Sequence, residues 1–398
     1  MIEEASLIYK LRDFQPLFQH VSVSQVFHAI KIATSDGGSS GTLPPTGTSR
    51  IGRRQQKYDY EPVHWDKYFR SRNVVTVGGN KFCTYSNGDA GPLLVLLHGG
   101  GFSALTWALF SVDIVEAVEC QVLAIDLRGH GDTETTADND LTIETLSKDV
   151  ADVINTIYPS DSPPIILVGH SMGGAVAVHV ADLAHTLDII GLVVIDVVEG
   201  TAMDALSSMQ SFLRNRPKSF SSIEEAISWS VRNHQVRNIE SAKVSVPGQI
   251  KNAATGVNLS AAGEVKSSRI IESSGSEKSK EDEVDFKAPE PAAIGPYTWR
   301  IDLCATEKYW SGWFQGLSKN FLKCPEQKLL ILANVDRLDR DLTVGQMQGK
   351  FGMHVLPRCG HAVHEDDPDK VAGVIANFLV RNKFAEPTSK FIKLLPGC

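Results

Sequence analysis

Short apolar runs alternate with amphipathic stretches along most of this chain. Helical windows lie between the runs at 104–118, 143–157 and 175–187, and a last helix opens at Pro368. Runs that are apolar at nearly every position and separated by helices indicate strands buried on both faces. The pattern therefore predicts an α/β fold, with a mostly parallel eight-stranded sheet and helices on both faces. The predicted strands are 74–77, 82–85, 93–97, 122–126, 165–169, 192–196, 329–333 and 353–356.

A long insertion separates the sixth predicted strand from the seventh. Hydrophobic residues at helical spacing near its start and clustered aromatic residues near its end predict a helical lid over 201–326. The middle of the insertion, 255–290, is rich in Ser, Lys, Glu and Pro, a composition typical of disordered loops. We expect a tolerated surface loop there, with a segment that docks a partner as the alternative.

The first part of the chain has a different composition. Residues 35–50 are rich in Gly, Ser, Thr and Pro and have too little apolar surface to order themselves. We therefore expect a largely disordered tail and linker over 1–57 and a folded domain over 58–398. The initial segment carries Glu3 and Glu4 and lacks an apolar core, so we expect no secretory signal.

Composition and charge exclude several classes of function. The net charge of -8 disfavours nucleic-acid binding, because phosphate neutralisation requires a clustered excess of Lys and Arg. The apolar runs are far shorter than the roughly 20 residues of a membrane-spanning helix, so we expect no membrane partner. The six cysteines show no CxxC spacing, which favours reduced thiols in an intracellular protein and predicts no zinc site.

A strand, a tight turn and a helix surround one serine. The segment GHSMG (169–173) follows the fifth predicted strand and precedes a helical stretch, which is the arrangement of a nucleophile elbow with Ser171 as nucleophile. A second glycine-rich turn, HGGG (98–101), ends the third strand. In such folds an N–H of this loop and the N–H after the nucleophile stabilise an oxyanion, which indicates Gly100, Gly101 and Met172.

A base and an acid follow Ser171 in the expected chain order. The segment CGHAVHE (359–365) lies after the last strand, and His361 is the candidate base with His364 as the second choice. Two carboxylates are candidates for the acid: Asp196 ends the sixth strand and Asp336 follows the seventh. Topology alone favours Asp336, because the acid most often follows the seventh strand.

Longer motifs resemble one family over about 58–388. Those motifs include LLVLLHGGGFSALT (93–106), LVGHSMGGAVAVH (167–179), IDVVEGTAMDALSSM (195–209), YTWRI (297–301) and EKYWSGWFQGL (307–317), and they are similar to segments of the protein phosphatase methylesterases. The resemblance implies an α/β-hydrolase fold with the lid after the sixth strand. It also implies Asp196 as the acid, and it leads us to expect substrate contacts from Trp310 and Trp313 in the lid.

The resemblance implies a specific activity. Such an enzyme hydrolyses the methyl ester of the C-terminal leucine of a type 2A protein phosphatase catalytic subunit, releases methanol, and needs no metal or organic cofactor. It implies a cytoplasmic location, with the nucleus left open. Two alternatives remain at this point: a small-molecule carboxylesterase or lipase-like hydrolase, and a non-catalytic binder on a hydrolase scaffold. An intact set of Ser171, His361 and a carboxylate argues against the binder.

Overall fold

The computed structural model describes residues 58–160, 162–183, 186–260, 295–334 and 338–393. The predicted tail at 1–57 and most of the predicted loop, 261–290, lie outside the described residues, as does Asp336. A compact unit begins at Tyr60. No helix in the described ranges combines the length and the apolar character needed to cross a bilayer.

An eight-stranded sheet forms the centre of this unit and confirms the predicted fold class. Its strands are β1 (Ser71–Val77), β2 (Asn80–Asn87), β3 (Leu93–Leu97), β4 (Gln121–Ile125), β5 (Ile165–His170), β6 (Ile189–Ile195), β9 (Gln327–Leu332) and β10 (Gly352–Val355). Their spatial order is β1-β2-β4-β3-β5-β6-β9-β10. β2 pairs antiparallel with β1 and β4, and the other neighbouring strands are parallel.

Both faces of the sheet are covered because its central strands are apolar at every position. In β3, Leu93, Val95 and Leu97 pack into one hydrophobic cluster, whereas Leu94 and Leu96 pack into a second cluster on the other face. Helices α2 (Ile143–Ile157) and α3 (Met172–Leu183) contribute to the first cluster. Helices α1 (Ala108–Ala117) and α11 (Pro368–Arg381) contribute to the second.

The insertion after β6 contains a small sheet as well as the predicted helices. Its helices are α4 (Glu199–Arg214), α5 (Ile223–Arg232), α6 (Ile239–Ser245), α7 (Glu307–Phe314) and α8 (Leu317–Lys323). The strands β7 (Ile250–Asn252) and β8 (Tyr297–Trp299) pair antiparallel within it. The sequence did not predict this pair, because three-residue strands are too short for a period of two to be recognised. Helices α9 (Arg340–Met347) and α10 (Val363–Asp366) lie outside the insertion.

The start of the predicted disordered loop is ordered. Asn258 Nδ2 donates a hydrogen bond to the Gly248 carbonyl at 2.9 Å, and the Ser260 N–H donates to Asn258 Oδ1 at 2.8 Å. Leu259 N also donates to the Ile250 carbonyl at 3.2 Å. Residues 255–260 therefore form a turn on the β7 strand, and the predicted boundary at 255 was too early.

Candidate active site

Ser171 stands in a tight turn between β5 and α3. Its φ of 53° lies in the left-handed region, which is uncommon for a residue with a side chain. The turn needs glycine on both sides: a Cβ at Gly169 would lie 2.1 Å from the Gly173 carbonyl oxygen, and one at Gly173 would lie 2.3 Å from the Leu97 carbonyl oxygen. The local sequence therefore produces the elbow that places a serine at the carboxyl end of the sheet.

Asp196 and His361 meet at the same edge of the sheet. His361 Nδ1 lies 2.8 Å from Asp196 Oδ2, and since a carboxylate accepts, the ring donates its Nδ1–H and keeps Nε2 as the basic nitrogen. The Ala333 N–H donates to Asp196 Oδ1 at 2.8 Å, so both oxygens are held. The Asp196 side chain is only 10% exposed, whereas that of His361 is 56% exposed and accessible to a substrate.

His170 links the elbow to the loop of the candidate base. Its Nε2 lies 2.8 Å from the His361 carbonyl oxygen and donates to it, and the two rings are 4.7 Å apart. Burial keeps the pKa of His170 well below its usual value, so the ring is neutral. His170 had no predicted role, although it is the variable position directly before Ser171 in the elbow motif.

Two backbone N–H groups of the glycine-rich loop, those of Gly100 and Gly101, differ in whether they have a hydrogen-bond acceptor. The Gly101 N–H donates to His130 Nε2 at 3.0 Å, and His130 Nδ1 donates to the Arg128 carbonyl at 2.8 Å. Burial lowers the pKa of His130 to about 4, which leaves the ring neutral and able to accept. The Gly101 N–H is thus engaged, and our expectation that it faces an oxyanion is corrected. Within the described ranges, no group accepts a hydrogen bond from the N–H of Gly100 or Met172.

The two lid tryptophans are packing residues. Trp310 and Trp313 are each 3% exposed and belong to the hydrophobic cluster beneath the lid. Trp310 Nε1 donates to Thr306 Oγ1 at 2.8 Å, and Trp313 Nε1 donates to the Leu141 carbonyl at 2.7 Å. Buried rings with satisfied donors contribute to the packing of the lid, and a direct contact of either ring with a substrate stays a prediction. The lid residue Leu303 lies against the glycine-rich loop, since a Cβ built at Gly101 would be 2.7 Å from the Cδ1 atom of Leu303.

The alternative base is buried behind the site. His364 is fully buried, its ring stacks 4.1 Å from that of Trp107, and its Nε2 lies 2.8 Å from Thr106 Oγ1. Burial lowers the pKa of His364 to about 3. A fully buried ring with so low a pKa is too weak a base and is out of reach of a substrate, which leaves His361 as the candidate.

Glu365 connects the base loop to the lid. Its carboxyl is fully buried and accepts from three hydroxyls, those of Thr106 at 2.5 Å, Ser241 at 2.8 Å and Ser245 at 2.5 Å. The two serines belong to the lid helix α6, and Thr106 follows the glycine-rich loop. Burial raises the pKa of Glu365 to about 7. This carboxyl therefore fixes the lid, the glycine-rich loop and the base loop relative to one another.

The part of the chain that the structure describes contains one group of potential metal ligands, which consists of Cys83, Asp126 and Asp132. Arg72 already pairs with Asp132 at 2.7 Å, and Asp126 accepts the N–H groups of Ala104 and Asp132. Burial raises the pKa of the Cys83 thiol, which stays protonated. Both carboxylates are thus already engaged and the thiol is protonated, so these residues do not fit a metal ion.

The fold and the arrangement of Ser171, His361 and Asp196 are those of an α/β hydrolase. A profile described as the alpha/beta hydrolase family matches residues 94–374. Solved structures with this fold include E-2-(acetamidomethylene)succinate hydrolase, with a TM-score of 0.57 at 16% identity over 78% of this chain and 99% of that one.

Curated relatives define the family more closely. Protein phosphatase methylesterase 1 from Homo sapiens is 51% identical over 89% of this chain and 95% of its own length. The Bos taurus protein of the same name is 52% identical over 88% and 95%. The probable protein phosphatase methylesterase 1 of Caenorhabditis elegans is 40% identical over 95% and 92%. The chain belongs to the protein phosphatase methylesterase family.

Proposed function

We propose that this protein is a serine esterase that hydrolyses the methyl ester of the C-terminal leucine of a type 2A protein phosphatase catalytic subunit. The observation that carries the proposal is the 2.8 Å hydrogen bond from His361 to Asp196, at the same sheet edge as the Ser171 elbow, in a chain of this family. Family membership also supports a cytoplasmic location, with the nucleus left open.

The geometry supports a two-step acyl transfer. His361 Nε2 takes the proton of Ser171 as Oγ attacks the ester carbonyl carbon, and Asp196 stabilises the imidazolium that forms. The N–H groups of Gly100 and Met172 stabilise the negative oxygen of the tetrahedral intermediate. His361 then protonates the departing methoxide, which leaves as methanol. Water repeats the sequence on the acyl-enzyme and releases the free carboxylate and Ser171.

Mass spectrometry of the phosphatase tail tests the proposal. We expect the wild-type protein to convert the methylated tail to the free acid, and Ser171→Ala to lose activity by at least about 100-fold, because loss of a triad member costs several orders of magnitude. Ser208→Ala removes an exposed hydroxyl of α4 and is the matched control. Demethylation by Ser171→Ala at the wild-type rate would remove Ser171 from the nucleophile role.

A second measurement separates the alternatives. A fluorophosphonate probe reacts with an activated serine whatever the natural ester is. Labelling of Ser171 without demethylation of the phosphatase would favour a small-molecule carboxylesterase. Absence of both labelling and turnover in folded protein would favour a non-catalytic binder.

A further inference from the structure

Arg216 lies stacked on aromatic residues of the lid. Its guanidinium carbon is 3.6 Å from the ring centroid of Trp299 and 6.0 Å from that of Trp229. Trp299 Nε1 donates to the Pro217 carbonyl at 2.8 Å, which fixes the ring beside the arginine. Stacking on an indole holds a guanidinium in one orientation and leaves its planar set of donors available at the edge.

No carboxylate within the described ranges neutralises this arginine. Four arginines there are not exposed, and three of them pair with a carboxylate. Those three pairs are Arg72 with Asp132 at 2.7 Å, Arg128 with Asp149 at 2.7 Å and Arg300 with Asp138 at 2.9 Å. Arg216 is the fourth, and its Nε is buried without an acceptor. Burial lowers the pKa of Arg216 to about 10, which reflects a cation that has lost water and gained no counter-ion.

The aromatic residues around Arg216 belong to a hydrophobic cluster that extends to the active-site loops. Trp299 and Trp229 pack in one hydrophobic cluster with Phe102 and Ala362. Phe102 directly follows the glycine-rich loop, and Ala362 directly follows His361. Arg216 therefore stacks on a lid cluster whose other members include one residue beside the oxyanion loop and one beside the base.

We propose that Arg216 binds a carboxylate of the phosphatase tail, contributed by an acidic side chain upstream of the esterified residue. This inference rests on the proposed function and names a recognition element for it. Methylation removes the charge of the C-terminus, so a charge contact with the substrate must use another group of the tail. A stacked guanidinium suits this task, because it can donate two parallel hydrogen bonds to one carboxylate.

Peptide methyl esters and peptide amides test the contact separately from catalysis. Fluorescent peptides ending in leucine amide, with Asp or Asn at each of the upstream positions in turn, are titrated with wild-type protein and with Arg216→Gln. We expect one Asp position to tighten binding to the wild-type protein by about ten-fold or more over Asn. Arg216→Gln removes that preference. Arg214→Gln, at the exposed end of α4 and two residues before Arg216, keeps it.

The methyl esters of the same peptides are then assayed for hydrolysis. The preference for Asp should appear in KM and not in kcat, and high salt should weaken it. Failure of the wild-type protein to hydrolyse any of these esters would contradict the proposed function, whereas the amide titration would still report on Arg216.

Three results would overturn the inference about Arg216. The first is a wild-type protein that binds Asp and Asn peptides equally at every position. The second is an Arg216→Gln variant, folded by circular dichroism, that weakens Asp and Asn peptides alike, as a purely structural residue would. The third is a preference found only for peptides ending in a free carboxylate, which would assign Arg216 to the product terminus. Arg216→Lys keeps the positive charge but lacks the planar guanidinium, so it should retain a smaller preference for Asp over Asn. This variant provides the same test if Arg216→Gln does not fold.

Discussion

Two non-glycine residues at the ends of neighbouring strands adopt left-handed backbone conformations. Ser171 follows β5 and Asp196 follows β6, each with a φ of 53°. Such a conformation costs on the order of 1–3 kcal/mol, so the surroundings must impose it. The Ser171 N–H donates to the Ile195 carbonyl at 2.9 Å, and the Asp196 N–H donates to the Ile331 carbonyl at 2.8 Å. Each strained residue is therefore held by the next strand of the sheet.

Replacement of the acid distinguishes Asp196 from Asp336. We expect Asp196→Asn to reduce turnover of an ester by roughly 10⁴-fold, because an amide no longer holds His361 in the tautomer that leaves Nε2 unprotonated. Asp336→Asn is the matched control and should keep most of the activity. Turnover is measured on one ester after circular dichroism confirms folding. An active Asp196→Asn protein beside an inactive Asp336→Asn protein would reverse the assignment.

His130 is predicted to position the oxyanion loop through its bond to the Gly101 N–H. His130→Leu removes the acceptor and leaves that N–H buried and unsatisfied, so we expect kcat to fall by about ten-fold or more with a smaller change in KM. His130→Gln offers a carbonyl oxygen near the same place and should restore part of kcat. Equal kcat values for the leucine variant and the wild-type protein would show that the loop keeps its place without His130.

At the scale of elements, the strands were predictable and the lid was less so. The central strands were recognised because burial on both faces requires apolar residues at nearly every position, as in β3, whereas the edge strands β1 and β10 contain no buried residue and follow this pattern less closely. The burial of Trp310 and Trp313 was not predictable, since aromatic residues in a lid have the same sequence pattern whether they face a ligand or the core. The bond from Gly101 to His130 was also unpredictable, because it joins residues 29 apart through a histidine tautomer.

Two deletions in the lid should have different effects. Removal of 262–290 takes out a mostly polar sequence beyond the ordered turn, so we expect hydrolysis of a small activated ester to be unchanged. Removal of 255–290 also deletes Asn258 and Leu259, which bond to the Gly248 carbonyl beside β7 and to the Ile250 carbonyl in β7. The longer deletion should lower the urea midpoint relative to the shorter one. Loss of small-ester turnover in the shorter deletion would show that this polar segment helps to form the active site.

At the scale of the whole molecule, Glu365 links stability to pH. Burial raises its pKa from 4.5 to about 7, so the folded protein holds a proton that the unfolded chain releases above pH 4.5. The contribution of Glu365 to the free energy of unfolding is fully present below pH 4.5 and is lost as the pH rises toward 7. The total loss is about 3 kcal/mol. His364 acts in the opposite direction, because its lowered pKa costs stability as the pH falls below 6.5.

Comparison with a glutamine variant isolates the Glu365 contribution from that of His364. Glu365→Gln mimics the protonated acid at every pH and can still bond to the hydroxyls of Ser241, Ser245 and Thr106. We therefore expect its free energy of unfolding, relative to the wild-type protein, to increase by up to about 3 kcal/mol between pH 4.5 and pH 7.5. Urea unfolding of both proteins at several pH values gives this difference. A difference between Glu365→Gln and the wild-type protein that does not change with pH would mean that the buried carboxyl keeps one protonation state across this range.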